Sequence, residues 1–277
     1  MKPRLTRFPM FGLPLLVIVA MAAGLFSVTD GTPHRPRVVL DAGHGADELG
    51  ATGYGIIERD SNLDMAKRVG AFFKDAGVDV IYTRSDDGRS YDDDRDLTDY
   101  SATFADLEER IAIANEAKAD LFVSIHSNSF YDPSARGIEI YYNADRAFAE
   151  RNRELAESIR AGLVAALEDH GYGVQPSTIR EDTSITDAAG RNTPYFVLGP
   201  ERPMPRAEMD DRGGDWDALG YGKQSVIQTR ETDMPGVLLE LFYVSSEEDA
   251  ALLKDDSARY YMAQGIALGI QRVLNNR

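Results

Sequence analysis

The segment Val38-Val39-Leu40-Asp41-Ala42-Gly43-His44-Gly45, continued by Gly55-Ile56-Ile57-Glu58-Arg59-Asp60-Ser61-Asn62, decides the fold. Residues 37–40 are short, apolar and rich in β-branched side chains, and read as a strand. The glycines after them mark a turn where backbone passes close to something else. Ser61-Asn62-Leu63-Asp64 has the form of a capping box. Leu63, Ala66, Val69, Gly70 and Phe73 then recur at helical spacing, and Gly77 closes the helix. Residues 78–83 are the next apolar run. Strand, helix, strand predicts a parallel βαβ unit.

The pattern continues along the chain. Leu107, Ile111, Ala114 and Ala117 predict an amphipathic helix. Residues 121–125 form a continuous apolar strand, as expected where both sheet faces are covered. Residues 137–142 predict a further strand. Leu155, Ile159, Leu163 and Leu167 step along a long helix ending near Gly171. Residues 237–243 predict another strand, and Ala263, Ile266, Ile270 and Val273 the buried face of a last helix. The expected architecture is a single α/β domain over residues 37–277, with helices on both faces of the sheet. Two segments interrupt it. Residues 85–106 are crowded with aspartates and read as a solvated acidic insertion, since their spacing fits no calcium-binding EF-hand loop. Residues 175–224 carry five prolines and Gly213-Gly214, and a loop this long inside a domain is functional or disordered.

Lys2, Arg4 and Arg7 precede an apolar run from Phe8 to Val28, with Ala20-Met21-Ala22 as a cleavage-like site. Residues 1–29 therefore read as a secretory signal peptide, the alternative being an uncleaved membrane anchor of marginal length against the ~20 apolar residues needed. Either way the protein is expected to be exported, periplasmic or otherwise extracytoplasmic, and to meet a membrane only through this segment. Residues 30–36 read as a linker.

With 277 residues, 43% hydrophobic and 27% charged, the chain can bury a full core. It has no cysteine, which excludes thiol catalysis, thiolate metal sites and disulfides. A net charge of -16 with no basic stripe excludes a nucleic-acid partner.

Only four histidines are present, at 34, 44, 126 and 170. His34 lies in the linker, and His170 in the last turn of a helix, where a cation complements the dipole. His44 and His126 each stand just past the end of a predicted strand, where sites gather in open α/β sheets. Glu58 stands on the same connection as His44. Two imidazoles and a carboxylate, with a fourth position for water, is a common way to hold catalytic zinc. Such nitrogen and oxygen ligands admit other divalent metals too. Glu240, inside the apolar run Leu238-Leu239-Glu240-Leu241-Phe242, is the expected proton carrier, because burying a charge there is costly without a purpose. Asp41 has two readings, a hydrogen bond to a ligand histidine or a cap of its own turn. Ser127 and Asn128 are candidate donors to a substrate carbonyl. Arg59, Arg136 and Arg230 are candidate substrate contacts, since long-range attraction between this acidic chain and an acidic substrate is absent.

These blocks resemble those of the zinc-dependent N-acetylmuramoyl-L-alanine amidases, the family that includes bacterial cell-division amidases. Leu40-Asp-Ala-Gly-His44-Gly, Gly55-Ile-Ile-Glu58-Arg-Asp-Ser-Asn-Leu, Thr83-Arg84, Leu107-Glu-Glu-Arg110-Ile-Ala-Ile-Ala-Asn115, Ala119-Asp-Leu-Phe-Val-Ser-Ile-His126-Ser-Asn, Gly137-Ile-Glu-Ile-Tyr and Met234-Pro-Gly-Val-Leu-Leu-Glu240-Leu-Phe occur in the family's order. The resemblance implies a six-stranded, mixed but mostly parallel sheet. It implies one zinc ion on His44, Glu58 and His126, and Glu240 as catalytic carboxylate. It implies cleavage of the amide between muramic acid and L-alanine in peptidoglycan. In the division amidases an insertion in this part of the chain carries a helix that blocks the zinc until a partner removes it. By that resemblance residues 175–224 are expected to occlude the site, with Glu181 or Glu208 reaching the metal and a protein activator relieving the block. Two other functions are compatible with the residues alone: a zinc exopeptidase acting on peptides, and a wall-binding scaffold that keeps the fold without turnover.

Overall fold

Alternation along three strands sorts the core into two layers. Val38, Leu40, Leu121, Val123, Ile125, Val237, Leu239 and Leu241 point into one hydrophobic cluster. Val39, Phe122 and Leu238, of the opposite parity, point into another. Every side chain of these runs is buried, so both faces must be covered, and helices cover them.

The structure is a computed structural model that describes residues 35–91, 95–174, 176–184 and 192–276. In chain order the elements are β1 (Arg37–Ala42), β2 (Thr52–Gly53), β3 (Ile56–Ile57), α1 (Glu58–Ala71), β4 (Asp79–Tyr82), α2 (Asp99–Glu116), β5 (Leu121–Asn128), β6 (Ile138–Tyr142), α3 (Ala149–Glu168), β7 (Ser177–Glu181), β8 (Pro203–Pro205), α4 (Arg206–Asp211), β9 (Val226–Gln228), β10 (Gly236–Tyr243), α5 (Glu247–Lys254) and α6 (Asp256–Asn275). The central sheet has six strands in the order β4-β1-β5-β10-β6-β7. All neighbours are parallel except β10 and β6, which run antiparallel with Glu240 opposite Glu139. The expected α/β architecture is therefore present. Helices α1, α3, α5 and α6 supply the first cluster; α2 and the segment around Val197 and Leu198 supply the second.

Four boundaries differ from the sequence-based expectation. Helix α1 starts at Glu58, three residues before the capping box, and its cap residue Ile57 makes no side-chain bond. Glu58 and Asp60 in the first turn compensate, since carboxylates are favourable at a helix N-terminus. Helix α2 starts at Asp99, with the Thr98 hydroxyl accepting from the Ser101 amide, so residues 99–106 are helix rather than solvated insertion. Phe104 and Asp106 are both buried there. The sixth strand, β7, lies inside the segment read as irregular. Its pattern is polar and half-exposed because it is the sheet's edge. Beyond it, β8, α4 and β9 enclose a small core of their own, made by Phe104, Met204, Met209, Trp216 and Ile227. The predicted signal segment 1–29 and most of the linker lie outside the described residues.

His170 has the bland role expected of it. Its ring stacks on Tyr261 with centroids 3.6 Å apart, and Nδ1 meets the Ala166 carbonyl at 2.8 Å.

Candidate active site

The parity of the sheet decides where the site lies. Asp41, Ser124, His126 and Glu240 share the face of Val39, Phe122 and Leu238, at the carboxyl ends of β1, β5 and β10. His44 leaves β1 two residues later with φ +65°, a left-handed conformation rare for a residue with a Cβ. Such strain survives only where the surroundings impose it. Here Arg110 donates from Nη1 to the Ala42 carbonyl and from Nη2 to the His44 carbonyl, both at 2.7 Å. Arg84 donates to the Ala42, Gly43 and Arg59 carbonyls at 2.8, 3.0 and 2.7 Å. Two buried guanidinium groups thus clamp the loop that presents the imidazole.

Glu58, first residue of α1, receives both histidines. Its Oε1 lies 3.0 Å from His44 Nε2 and 3.1 Å from His126 Nδ1. The same oxygen accepts from the Ser127 amide at 3.2 Å, while Oε2 accepts from the Ala51 amide at 2.8 Å. His44, Glu58 and His126 are the group among the described residues whose nitrogen and oxygen atoms lie within 4.8 Å of one another, close enough to hold one ion. Neighbouring glycines keep that space open. A Cβ on Gly43 would fall 2.1 Å from His126 Nε2, and one on Gly50 would fall 2.6 Å from Glu58 Oε2 and 2.7 Å from His44 Nε2. Electrostatics agree with a cation there. Burial works against a charged His44, yet hydrogen bonds to Glu48 and Glu58 outweigh it and raise its pKa to about 9. Burial works against a charged Glu58, yet His126 and His44 hold it well below the usual carboxylate range. Two donors competing for one carboxylate oxygen is an arrangement that a divalent ion satisfies better than protons do.

Glu240 stands on β10 beside this group. Its Oε2 is buried with no hydrogen-bond partner among the described residues. Burial, then the Glu58 charge, push its carboxyl well above the ordinary range, against the pull of His44. Just past it, Phe242 has φ +64° and the register of β10 on β5 shifts, a bulge of the kind found beside active sites.

The remaining predicted contacts are placed as follows. Asp41 touches no histidine. Its Oδ1 accepts from Thr83 at 2.7 Å and from Arg110 at 2.6 Å, and its Oδ2 from Ser124 at 2.6 Å. It acts on His44 only through Arg110, because the guanidinium bridges them. Asn128 is held by Glu139, to which it donates at 3.1 Å, and by the Ser129 amide. Ser127 Oγ lies 3.5 Å from Asn62 Oδ1. Arg59 pairs with Asp60 and donates to the Ala46 carbonyl. Arg230 pairs with Glu108 of α2. Arg136 pairs with Glu248 and Asp249. Glu208 forms a bidentate pair with Arg202, and Glu181 accepts from the Tyr142 hydroxyl, so neither joins the ligand group.

Three contributors escape sequence reasoning. Glu48 faces His44 Nδ1 at 3.4 Å, and its only signal is the four-residue spacing from His44. Glu139, the cross-strand partner of Glu240, gathers Asn128, Tyr141 and Arg180 around its carboxylate. Tyr195 comes from the segment read as an occluding loop. Its ring meets Tyr141 edge-on at 5.1 Å and its hydroxyl is a hydrogen-bond partner of Glu240.

Residues 38–272 match the family model described as N-acetylmuramoyl-L-alanine amidase. The chain belongs to the N-acetylmuramoyl-L-alanine amidase family. Among curated relatives, it is 35% identical over 164 residues to the N-acetylmuramoyl-L-alanine amidase LytC of Bacillus subtilis, a match covering 55% of this chain and 30% of that protein. It is 28% identical over 246 residues to the amidase AmiC of Neisseria meningitidis, covering 87% of this chain and 53% of the relative. The chain thus spans about half or less of the length of these two amidases. The catalytic domain of the amidase CwlV of Bacillus (Paenibacillus) polymyxa superposes with a TM-score of 0.59 at 28% identity, over 87% of this chain and 99% of that domain.

Proposed function

We propose that the protein hydrolyses the amide bond joining N-acetylmuramic acid to L-alanine in peptidoglycan, with zinc as its cofactor. The observation that carries the reading is the convergence of two imidazole nitrogens on one Glu58 oxygen, at 3.0 and 3.1 Å, beside the unpartnered Oε2 of Glu240. A zinc ion held by His44, Glu58 and His126 supplies Lewis acidity toward water and toward the scissile carbonyl.

The chain's own residues do the rest. Glu240 Oε2 takes the proton from the attacking water and returns it to the nitrogen of the departing L-alanine. Its raised proton affinity suits the second half of that exchange. Tyr195, reaching Glu240 from outside the sheet, holds the carboxylate in place. Glu48 orients His44 through Nδ1, as carboxylates commonly do for metal-binding histidines.

Occlusion of the metal by Glu181 or Glu208 is not part of this reading, because both are held elsewhere. Export through the N-terminal segment is part of it. No helix among the described residues is long and apolar enough to cross a membrane.

Digestion of purified peptidoglycan with and without a chelator tests the proposal. The expected products are intact glycan and whole stem peptides, lost on chelation and restored by zinc. Release of single amino acids would instead mark an exopeptidase. Wall binding without any product would mark a scaffold.

A further inference from the structure

Large apolar side chains left in water carry information when they cluster. Among the described residues the exposed ones are Leu49, Tyr54, Phe130, Tyr131, Val226, Tyr260 and Leu268. Leu49, Tyr54, Phe130 and Tyr131 lie on the segments that carry the ligand group. Leu49 and Tyr54 fall between His44 and Glu58, while Phe130 and Tyr131 follow His126 by four and five residues.

Tyr131 is 90% exposed and Phe130 48%, and their rings contact each other with centroids 4.2 Å apart. The backbone beneath them is fixed. The Phe130 amide donates to Ser245 Oγ at 3.0 Å, the Ser129 amide to Asn128 Oδ1 at 2.8 Å, and the Ser134 amide to Asp132 Oδ1 at 2.9 Å. An ordered loop that holds two contacting rings, tilted 39° to each other, in solvent is preorganised for a ligand. Tyr54, 49% exposed, crowns the β2–β3 hairpin with φ +47°, followed by Gly55 at +80°. That turn favours asparagine or glycine at its first position, so an exposed tyrosine there costs stability and gains no packing. The hairpin sits on the same ground as the aromatic pair. Gly53 is close enough to the Val244 carbonyl that a Cβ would fall 2.2 Å from it, and the Val244 amide donates to the Asn128 carbonyl at 2.8 Å.

We propose that Phe130 and Tyr131, flanked by Tyr54, form a subsite that binds the glycan strand of peptidoglycan by stacking on its N-acetylated sugar rings. This rests on the amidase reading above. Two arguments select sugar over stem peptide. The apolar C–H face of a pyranose matches an exposed aromatic face, and it carries no charge. A chain of net charge -16 gains no long-range attraction to the carboxylates of the peptides, which favours neutral contacts for adhesion to the wall. The position is also suitable, because the scissile amide joins a sugar to a peptide, and the sugar must lie against one side of the site.

The test separates binding from hydrolysis. Glycan strands stripped of their stem peptides contain no muramoyl–alanine amide, and with the lactyl carboxylates so freed capped as methyl esters they stay uncharged, so their binding to the full chain reads the subsite alone. Hydrolysis of intact wall reads the amidase reading. Phe130→Ala/Tyr131→Ala is expected to weaken binding to stripped strands about tenfold, with Phe130→Tyr and Tyr131→Phe close to wild type. The Leu268→Ala variant, altered at another exposed apolar residue, should bind as wild type does. In hydrolysis of intact wall the double variant should raise KM about tenfold and leave kcat within twofold. A double variant that binds stripped strands as tightly as wild type overturns the proposal and leaves the amidase reading standing. So does binding confined to peptide-bearing wall. Wild-type protein that binds stripped strands but never cleaves intact wall overturns the amidase reading and supports the subsite.

Discussion

Two buried carboxylates on the same face of the sheet, Asp41 on β1 and Glu240 on β10, have opposite surroundings. Asp41 is saturated: Arg110, Thr83 and Ser124 all donate to it, and they hold its pKa below the ordinary value although burial raises it. Glu240 keeps one oxygen without a partner among the described residues, and burial and Glu58 raise its pKa. A carboxylate with buried donors on both oxygens has little left to offer a substrate. One left unsatisfied at a strand end, facing a cation site, is kept for chemistry. The difference separates framework from reaction more sharply than burial does, since both residues are almost wholly buried.

The largest effect expected is at Glu240. Glu240→Gln should lower hydrolysis by about 10³-fold while metal content and melting temperature stay near wild type, since general acid–base groups contribute ~10²–10⁴-fold. Retained activity would remove Glu240 from the mechanism. Asp41→Ala should do the reverse. It removes one of the two buried carboxylates paired with Arg110, the other being Asp106, and should cost about 1–3 kcal/mol of stability, read by denaturant unfolding. A stable but inactive Asp41→Ala protein would erase the contrast. Glu48→Ala should reduce zinc affinity by roughly 10–100-fold, read by competition with a chromophoric chelator, with little change in fold. The smallest effect is on pH dependence without metal. His44 titrates near 6.5 when unfolded and at about 9 when folded, so between these values the native state holds a proton that the unfolded chain has released. Stability of the chelated protein should therefore be full below pH ~6.5 and fall as pH rises through 9, and zinc should flatten that slope.

The inner strands and the candidate group of His44, Glu58 and His126 were legible because each leaves a local mark. Apolar runs end at His44 and His126, and a charge interrupts the run around Glu240. What was not legible depends on distance. Arg110 meets Asp41 across 69 residues, and no pattern near either predicts the pair. Tyr195 is a tyrosine among prolines until the fold sets it beside Glu240. The first two turns of α2 were hidden because half of their buried side is polar, Ser101 and Asp106 lying there beside Ala102 and Phe104. Strand β7 was hidden because an edge strand needs little apolar character.

Glu58 is at once the opening residue of α1 and the oxygen that both imidazoles share. With zinc bound as proposed, seating the ion and seating that helix would be one event. Withdrawing zinc should loosen the amides of the first turn of α1 before it disturbs α3 or α6, so that metal supply acts as a latch on one helix while its neighbours in the same layer stay shut.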